Sequence, residues 1–155
     1  TAGGTVLRFA TAFGASPRMR LDLLVNDFVH QAVVNKQLIV YERGFRRTFI
    51  HVRDMGKAIQ FSLENYDQMK NNSYNVGHES LNYTKEDIAN AIRERIPFYL
   101  HYAEVGTDPD QRDYEVSYKK IQEIGYETTV TLDEGISELI RVVDAIDVTS
   151  PWLNV

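Results

Sequence analysis

The sequence predicts an α/β fold built around a parallel sheet. Three observations carry this. The run Gly4 to Phe13 is nearly continuously apolar and rich in β-branched and aromatic residues. That pattern predicts a strand buried on both faces, as in a parallel sheet. Extended runs alternate along the chain with stretches of helical spacing. Two capping boxes, Thr84-Lys-Glu-Asp87 and Thr131-Leu-Asp-Glu134, mark helix starts.

The elements follow in order. Gly14-Ala-Ser-Pro17 breaks the first strand. From Leu21 to Val34, residues Leu21, Leu24, Val25, Phe28 and Ala32 form a stripe down one helix face. Leu38 to Tyr41 is a short strand closed by the turn at Gly44, and Thr48 to Val52 is a second extended run. A helix follows with Met55, Ala58, Ile59 and Leu63 on one face. After a turn at Asn71-Asn72-Ser73 comes a short strand, Tyr74 to Gly77. The helix opened by Thr84 runs through Ile88, Ala91 and Ile92 and stops before Pro97. Tyr99 to Val105 reads as a strand, and Gly106 to Asp110 as a loop. Ser117 caps a short helix, Tyr118 to Ile124, with Gly125 as its stop. The last helix carries Ile136, Leu139, Ile140 and Val143, and the tail from Asp147 is irregular.

Length and composition bound the rest. The 155 residues fit a single domain, and 43% hydrophobic with 25% charged residues exclude a disordered chain. No apolar run reaches the roughly 18 residues that span a bilayer. Thr1 to Thr5 has neither the basic flank nor the apolar run of a signal peptide. Without cysteine there is no disulfide scaffold and no thiolate metal site. His30, His51, His78 and His101 have no short ligand spacing, so no metal is expected. The net charge of −5 divides unevenly: residues 1–60 carry nine Lys or Arg against four acids. A basic segment on an acidic protein points to a local anion site or to a solvated basic surface. The acidic balance and the lack of a binding motif argue against nucleic acid.

The chemistry centres on arginines. Arg46 and Arg47 lie between two extended runs, and Arg112 lies in a later loop. Two guanidiniums from different loops can clamp a pyrophosphate bidentately. The structural alternative pairs Arg47 with Asp54 or another acid, and Arg112 with Asp110 or Asp113. There is no nucleophile elbow and no P-loop, and Gly3-Gly4 is not followed by the glycines of a dinucleotide fingerprint.

Four segments in order resemble a known family: Val6 to Gly14 (VLRFATAFG), Tyr41 to Asp54 with the following Met-Gly-Lys-Ala58, Tyr74-Asn-Val-Gly77 with its helix, and Asp110-Gln-Arg-Asp-Tyr114 with Lys120-Ile121 and Gly125. They resemble the C-terminal, substrate-binding half of an extended short-chain dehydrogenase/reductase of the NAD-dependent nucleotide-sugar epimerase/dehydratase group. The resemblance implies the C-terminal part of a Rossmann-type fold, with one Rossmann-sheet strand and a small mixed substrate-domain sheet packed with helices. It implies that Arg47 and Arg112 contact a nucleotide diphosphate and that Leu23, Leu24 and Asn26 line the nucleotide-sugar pocket. Thr11 stands where the family often has asparagine near the diphosphate, and Ala15 where it has proline. Phe9 and Thr11 would touch the nicotinamide only in a complete enzyme.

The family's N-terminal half, with its Gly-rich NAD loop and Tyr-x-x-x-Lys pair, is expected to be absent from residues 1–155, a single partial domain. The literal match Tyr66-Asp-Gln-Met-Lys70 ends a helix and is rejected as that pair. The expectation is therefore a nucleotide-sugar-binding half of an epimerase or dehydratase, with no catalytic residue of its own and not complete alone. NAD or NADP belongs to the complete enzyme, and none is expected on this chain alone. The implied partners are a nucleotide diphosphate sugar and either the missing half or a second copy, with no nucleic acid and no membrane, in the cytoplasm. The alternative is a non-catalytic module that binds an anionic ligand or a partner protein.

Overall fold

A computed structural model describes residues 3–107 and 112–146. Three small sheets alternate with helices. Strands β1 (Val6–Phe9) and β2 (Thr11–Phe13) come first, then helix α1 (Leu24–His30), which runs into a π-helical turn, Gln31–Asn35. Strands β3 (Gln37–Tyr41) and β4 (Arg46–His51) precede helices α2 (Val52–Glu64) and α3 (Tyr66–Met69). Strand β5 (Ser73–Val76), a short 3-10 turn and β6 (Asn82–Thr84) lead to α4 (Lys85–Arg93). Strand β7 (Tyr99–Ala103), α5 (Lys119–Gln122) and α6 (Leu132–Ala145) complete the order. Strand β1 pairs in parallel with β5, β2 with β4, and β3 with β7, while β6 adds antiparallel to β4.

Strand β4 divides two cores. Every residue from Arg47 to His51 is buried. Side chains alternate across a strand, so Phe49 enters a core with Phe13, Val29, Leu38, Ile88 and Leu139. Ile50 enters the other, with Ala58, Met69, Val76, Tyr118 and Tyr126. Both capping boxes are present, with reciprocal bonds between Thr84 and Asp87 and between Thr131 and Glu134. Gly125 takes the expected left-handed stop, φ 106°.

Several expectations change. The Gly4–Phe13 strand breaks at Ala10, whose N–H donates to the Val76 carbonyl at the end of the β1–β5 pair. The chain then changes partner, from β5 to β4. Strand β1 is not buried on both faces: Val6 is 54% exposed. The stripe expected on α2 is rotated, leaving Ile59 50% and Leu63 71% exposed. Ala58 is buried as expected, but Asp54 shares the inward face with it, because the Asp54 carboxylate holds the backbone at Thr129 and Val130. Ser117 is not the cap of α5. Tyr118 occupies that position, while its N–H donates to Glu79. Asp110 and the tail from Asp147 lie outside the described residues. Among the described residues no helix is long and apolar enough to cross a membrane, and no His/Asp/Glu cluster could hold a metal.

Candidate functional site

The site is a cleft of about 270 Å³ where β2, β4 and α1 meet the loop at Arg112. Thr11 on β2 lies opposite Phe49 on β4 in register, and both line it. Arg47 stands two residues before Phe49 and so shares its face of the strand. Arg46 points the other way, in an ion pair of 2.6 Å with Glu115. Leu23 and Leu24, at the start of α1, form a second wall with Asp27 and Phe28.

Arg47 is 2% exposed, with its guanidinium 5.9 Å from the Tyr114 ring centroid. Burying a guanidinium costs several kcal/mol unless charges and hydrogen bonds offset it. Asp54, the one acid named as its alternative partner, serves elsewhere. That carboxylate accepts from Thr129 N at 3.0 Å, Thr129 Oγ1 at 2.8 Å and Val130 N at 3.0 Å. Asp113, the alternative named for Arg112, accepts from Arg46 N at 2.8 Å.

The cleft thus brings together Thr11, Leu23, Leu24, Arg47 and Arg112 from segments distant in sequence. Asn26 lies behind the wall rather than on it, 3% exposed. Its Oδ1 accepts from Gly14 N at 3.1 Å and its Nδ2 donates to Arg20 O at 2.8 Å. It therefore fixes the turn after β2 against the segment leading into α1. Phe9 packs beside the second core and does not line the cleft. The rejected pair separates: Tyr66 OH donates to Gly3 O at 2.5 Å, and Lys70 bridges Asp67 at 2.8 Å.

Arg20, Asp22, Asp27 and Phe28 also line the cleft and were not singled out from sequence. Arg20 and Asp22 form a bidentate pair, with contacts of 3.1 and 2.6 Å. Their spacing in irregular chain carries no periodic signal. Charge asymmetry pointed to the segment but not to these residues.

A buried group braces the cleft from behind. His51 Nδ1 accepts from Arg53 N, capping α2, and its Nε2 lies 3.3 Å from Glu138 on α6. Burial pushes the imidazole below its ordinary pKa, against the opposing pull of Glu138. Glu138 also accepts from Ala15 N at 3.1 Å and from Arg53 at 2.5 Å. A second pocket of about 320 Å³ adjoins the cleft, sharing Asp27 and Phe28 with it.

Comparison with known proteins agrees with this architecture. Residues 2–77 match the sequence model of the NAD dependent epimerase/dehydratase family. Similar solved structures include UDP-glucose 4-epimerase of Thermus thermophilus in complex with NAD, with a TM-score of 0.73 at 20% identity. That match covers 88% of this chain and 45% of the epimerase. For dTDP-glucose 4,6-dehydratase of Bacillus anthracis in complex with NAD, the TM-score is 0.75 at 21% identity, with 96% of this chain and 47% of the dehydratase covered. ADP-L-glycero-D-manno-heptose-6-epimerase of Helicobacter pylori gives 0.70 at 22%, with 90% and 44% covered. The chain thus shares its fold with part of each of these proteins and spans less than half of each.

Proposed function

We propose that this chain, whose residues 2–77 match the model of the NAD dependent epimerase/dehydratase family, is the nucleotide-sugar-binding half of an NAD-dependent sugar epimerase or dehydratase. One observation carries the reading. Arg47 from a doubly buried strand and Arg112 from a distant loop line one cleft with Thr11, Leu23 and Leu24. A diphosphate offers oxygens to both guanidiniums, and each charge-assisted bond contributes about 1.5–3 kcal/mol. Thr11 adds one hydroxyl, which can donate where an amide would offer two donors. The leucines and Phe28 exclude water from one side and strengthen the ion pairs. Asn26 and Glu138 hold the turn after β2, so the cleft is organised before a ligand arrives.

NAD or NADP would supply the hydride acceptor in the complete enzyme. Among the described residues none builds its phosphate site, since Gly3-Gly4 leads into β1 without further glycines. The proposal therefore assigns this single partial domain to substrate binding in a cytoplasmic enzyme and gives none of its residues a catalytic role. Phe9 and Thr11 would meet the nicotinamide only in the complete enzyme.

Calorimetric titration tests this. UDP, dTDP, GDP or CDP is expected to bind, and the Arg47→Ala, Arg112→Ala double variant is expected to lose that binding. Equal binding by both proteins would sink the assignment.

A second reading, docking of a partner chain, is favoured by exposed apolar side chains, Val6 on β1 and Ile59 and Leu63 on α2. Among the described residues β1 has one paired edge and one open edge, which invites further strand pairing. Sedimentation equilibrium is expected to show association through this strand. A strict monomer at high concentration, with the Val6–Phe13 amides protected from exchange, would refute it.

A further inference from the structure

His78, Ser80 and Glu127 meet outside the arginine cleft, and none of the three lines it. His78 stands just after β5 and caps the short 3-10 turn Glu79–Leu81. Its Nδ1 accepts from Ser80 N at 3.1 Å and lies 2.7 Å from Ser80 Oγ. A ring nitrogen that accepts from a backbone N–H carries no proton of its own. The Ser80 hydroxyl therefore donates to Nδ1 as well, and the neutral ring holds its proton on Nε2. Nε2 lies 3.4 Å from the Glu127 carboxylate, in the segment between α5 and α6. Hydroxyl, imidazole and carboxylate thus stand in line, brought together from two segments distant in sequence.

Capping alone does not call for this arrangement. Asp, Asn, Ser and Thr are the usual acceptors at a cap, and a cap needs neither a hydroxyl on Nδ1 nor a carboxylate at Nε2. A hydroxyl bonded to a base that a third group orients is what activates a serine. We propose that Ser80 is an acyl-accepting nucleophile, with His78 as its base and Glu127 as the positioning residue, acting on small activated esters apart from any reaction at the cleft. Ser80 Oγ attacks the ester carbonyl while its proton passes to His78 Nδ1, giving an imidazolium whose Nε2–H faces Glu127. The bond from the carbonyl carbon to the leaving oxygen breaks, that oxygen takes the proton from Nδ1, and the acyl group stays on Oγ. Water then attacks the acyl group in the same way, releasing a carboxylic acid and the free serine. Ser80 is exposed and His78 partly so, which lets the ester reach Oγ from solvent. An open site supplies little binding energy to the reacting centre, so esters with good leaving groups are the class it can serve.

The test treats the full chain with a fluorophosphonate probe, which forms an Oγ–P bond and releases fluoride, and maps the labelled serines by mass spectrometry. Ser80 is expected to be labelled at least about tenfold faster than any other serine of the chain, less than the roughly 100-fold of a well-placed general base because the site is open to water. With 4-nitrophenyl acetate the acetyl group is expected on Ser80, and Ser80→Ala is expected to hydrolyse the ester more slowly than the parent. His78→Asn keeps an oxygen to cap the turn but has no base, and its Ser80 is expected to fall to the rate of the other serines. Glu127→Ala is expected to slow labelling several-fold, and Glu127→Gln, which keeps an oxygen for Nε2–H, to recover part of that loss. Circular dichroism confirms the fold of each variant. A parent Ser80 no more reactive than the other serines overturns the proposal whether or not the variants fold. Labelling of His78→Asn at the parent's rate also overturns it, since His78 is then a cap alone. Glu127→Ala at the parent's rate overturns the role of Glu127.

Discussion

Replacing Asp54 by alanine removes the acceptor that fastens the segment before α6. Asp54 is fully buried, and one of its oxygens accepts both the Thr129 and Val130 N–H groups at 3.0 Å. The other accepts the Thr129 hydroxyl at 2.8 Å. In the alanine variant the buried Val130 N–H loses its partner, at about 1–3 kcal/mol. The Thr129 N–H is less deeply buried and sits at the lower end of that range. With the space left by the carboxylate, the total is about 3–5 kcal/mol. At about 2–4 °C per kcal/mol for a chain of this size, the melting midpoint falls by roughly 6–20 °C. Asparagine keeps an oxygen for the two N–H groups and can turn its amide to the threonine hydroxyl. It loses only the charge, about 1–2 kcal/mol. Urea unfolding of the three proteins, with unchanged slopes, is expected to order them parent, asparagine, alanine. An alanine variant within about 1 kcal/mol of the parent would refute the argument, as would asparagine less stable than alanine.

Gly135→Ala is expected to cost about 1–3 kcal/mol, because the added methyl overlaps the Phe13 ring and crowds His51; an unchanged thermal midpoint would show that this part of the core can yield. His51 makes stability depend on pH. Its folded pKa is depressed by burial, so below the ordinary value of about 6.5 the unfolded chain binds the extra proton first. Its contribution is complete above that value and declines as the pH falls toward the folded pKa, by at most about 1.4 kcal/mol per pH unit. Urea midpoints between about pH 7.5 and 5, a range that brackets the ordinary imidazole value, are expected to fall more steeply for the parent than for His51→Gln, and parallel profiles would count against the mechanism.

Local chemistry was the legible part of this chain. A capping box closes within four residues, so Thr84 and Thr131 announced their helices correctly. Gly125 marked a left-handed position for the same reason. Five of the residues expected near the ligand meet in one cleft: Thr11, Leu23, Leu24, Arg47 and Arg112. What depended on distant partners was not legible. Continuous apolar sequence concealed the break at Ala10, because that break is set by where β5 ends and β4 begins. The face of α2 turned inward was decided by a carboxylate reaching Thr129, a preference invisible to hydrophobic periodicity. Asn26 was expected on the pocket wall, yet its two hydrogen bonds draw it behind. Lys85 looked like one polar position in a capping box, and only its burial against Tyr41 and Phe45 marks it out.

The two-sided burial of β4 makes its alignment an all-or-nothing matter. A slip of one residue would send Thr48 and Ile50 to the side now held by Arg47 and Phe49, and the cleft would lose its buried cation along with its aromatic floor. The strand is pinned against such a slip by parallel pairing to β2 and antiparallel pairing to β6. The turn before it is also tethered: Phe45 N donates to Glu42 O, Lys85 N to Phe45 O and Glu86 N to Arg43 O. Surface turns usually absorb an inserted residue at small cost. Here an insertion between Glu42 and Phe45 has no slack to occupy. It must either break the tethers or push the strand out of step, so the length of this turn is as much a determinant of the cleft's shape as the arginine that follows it.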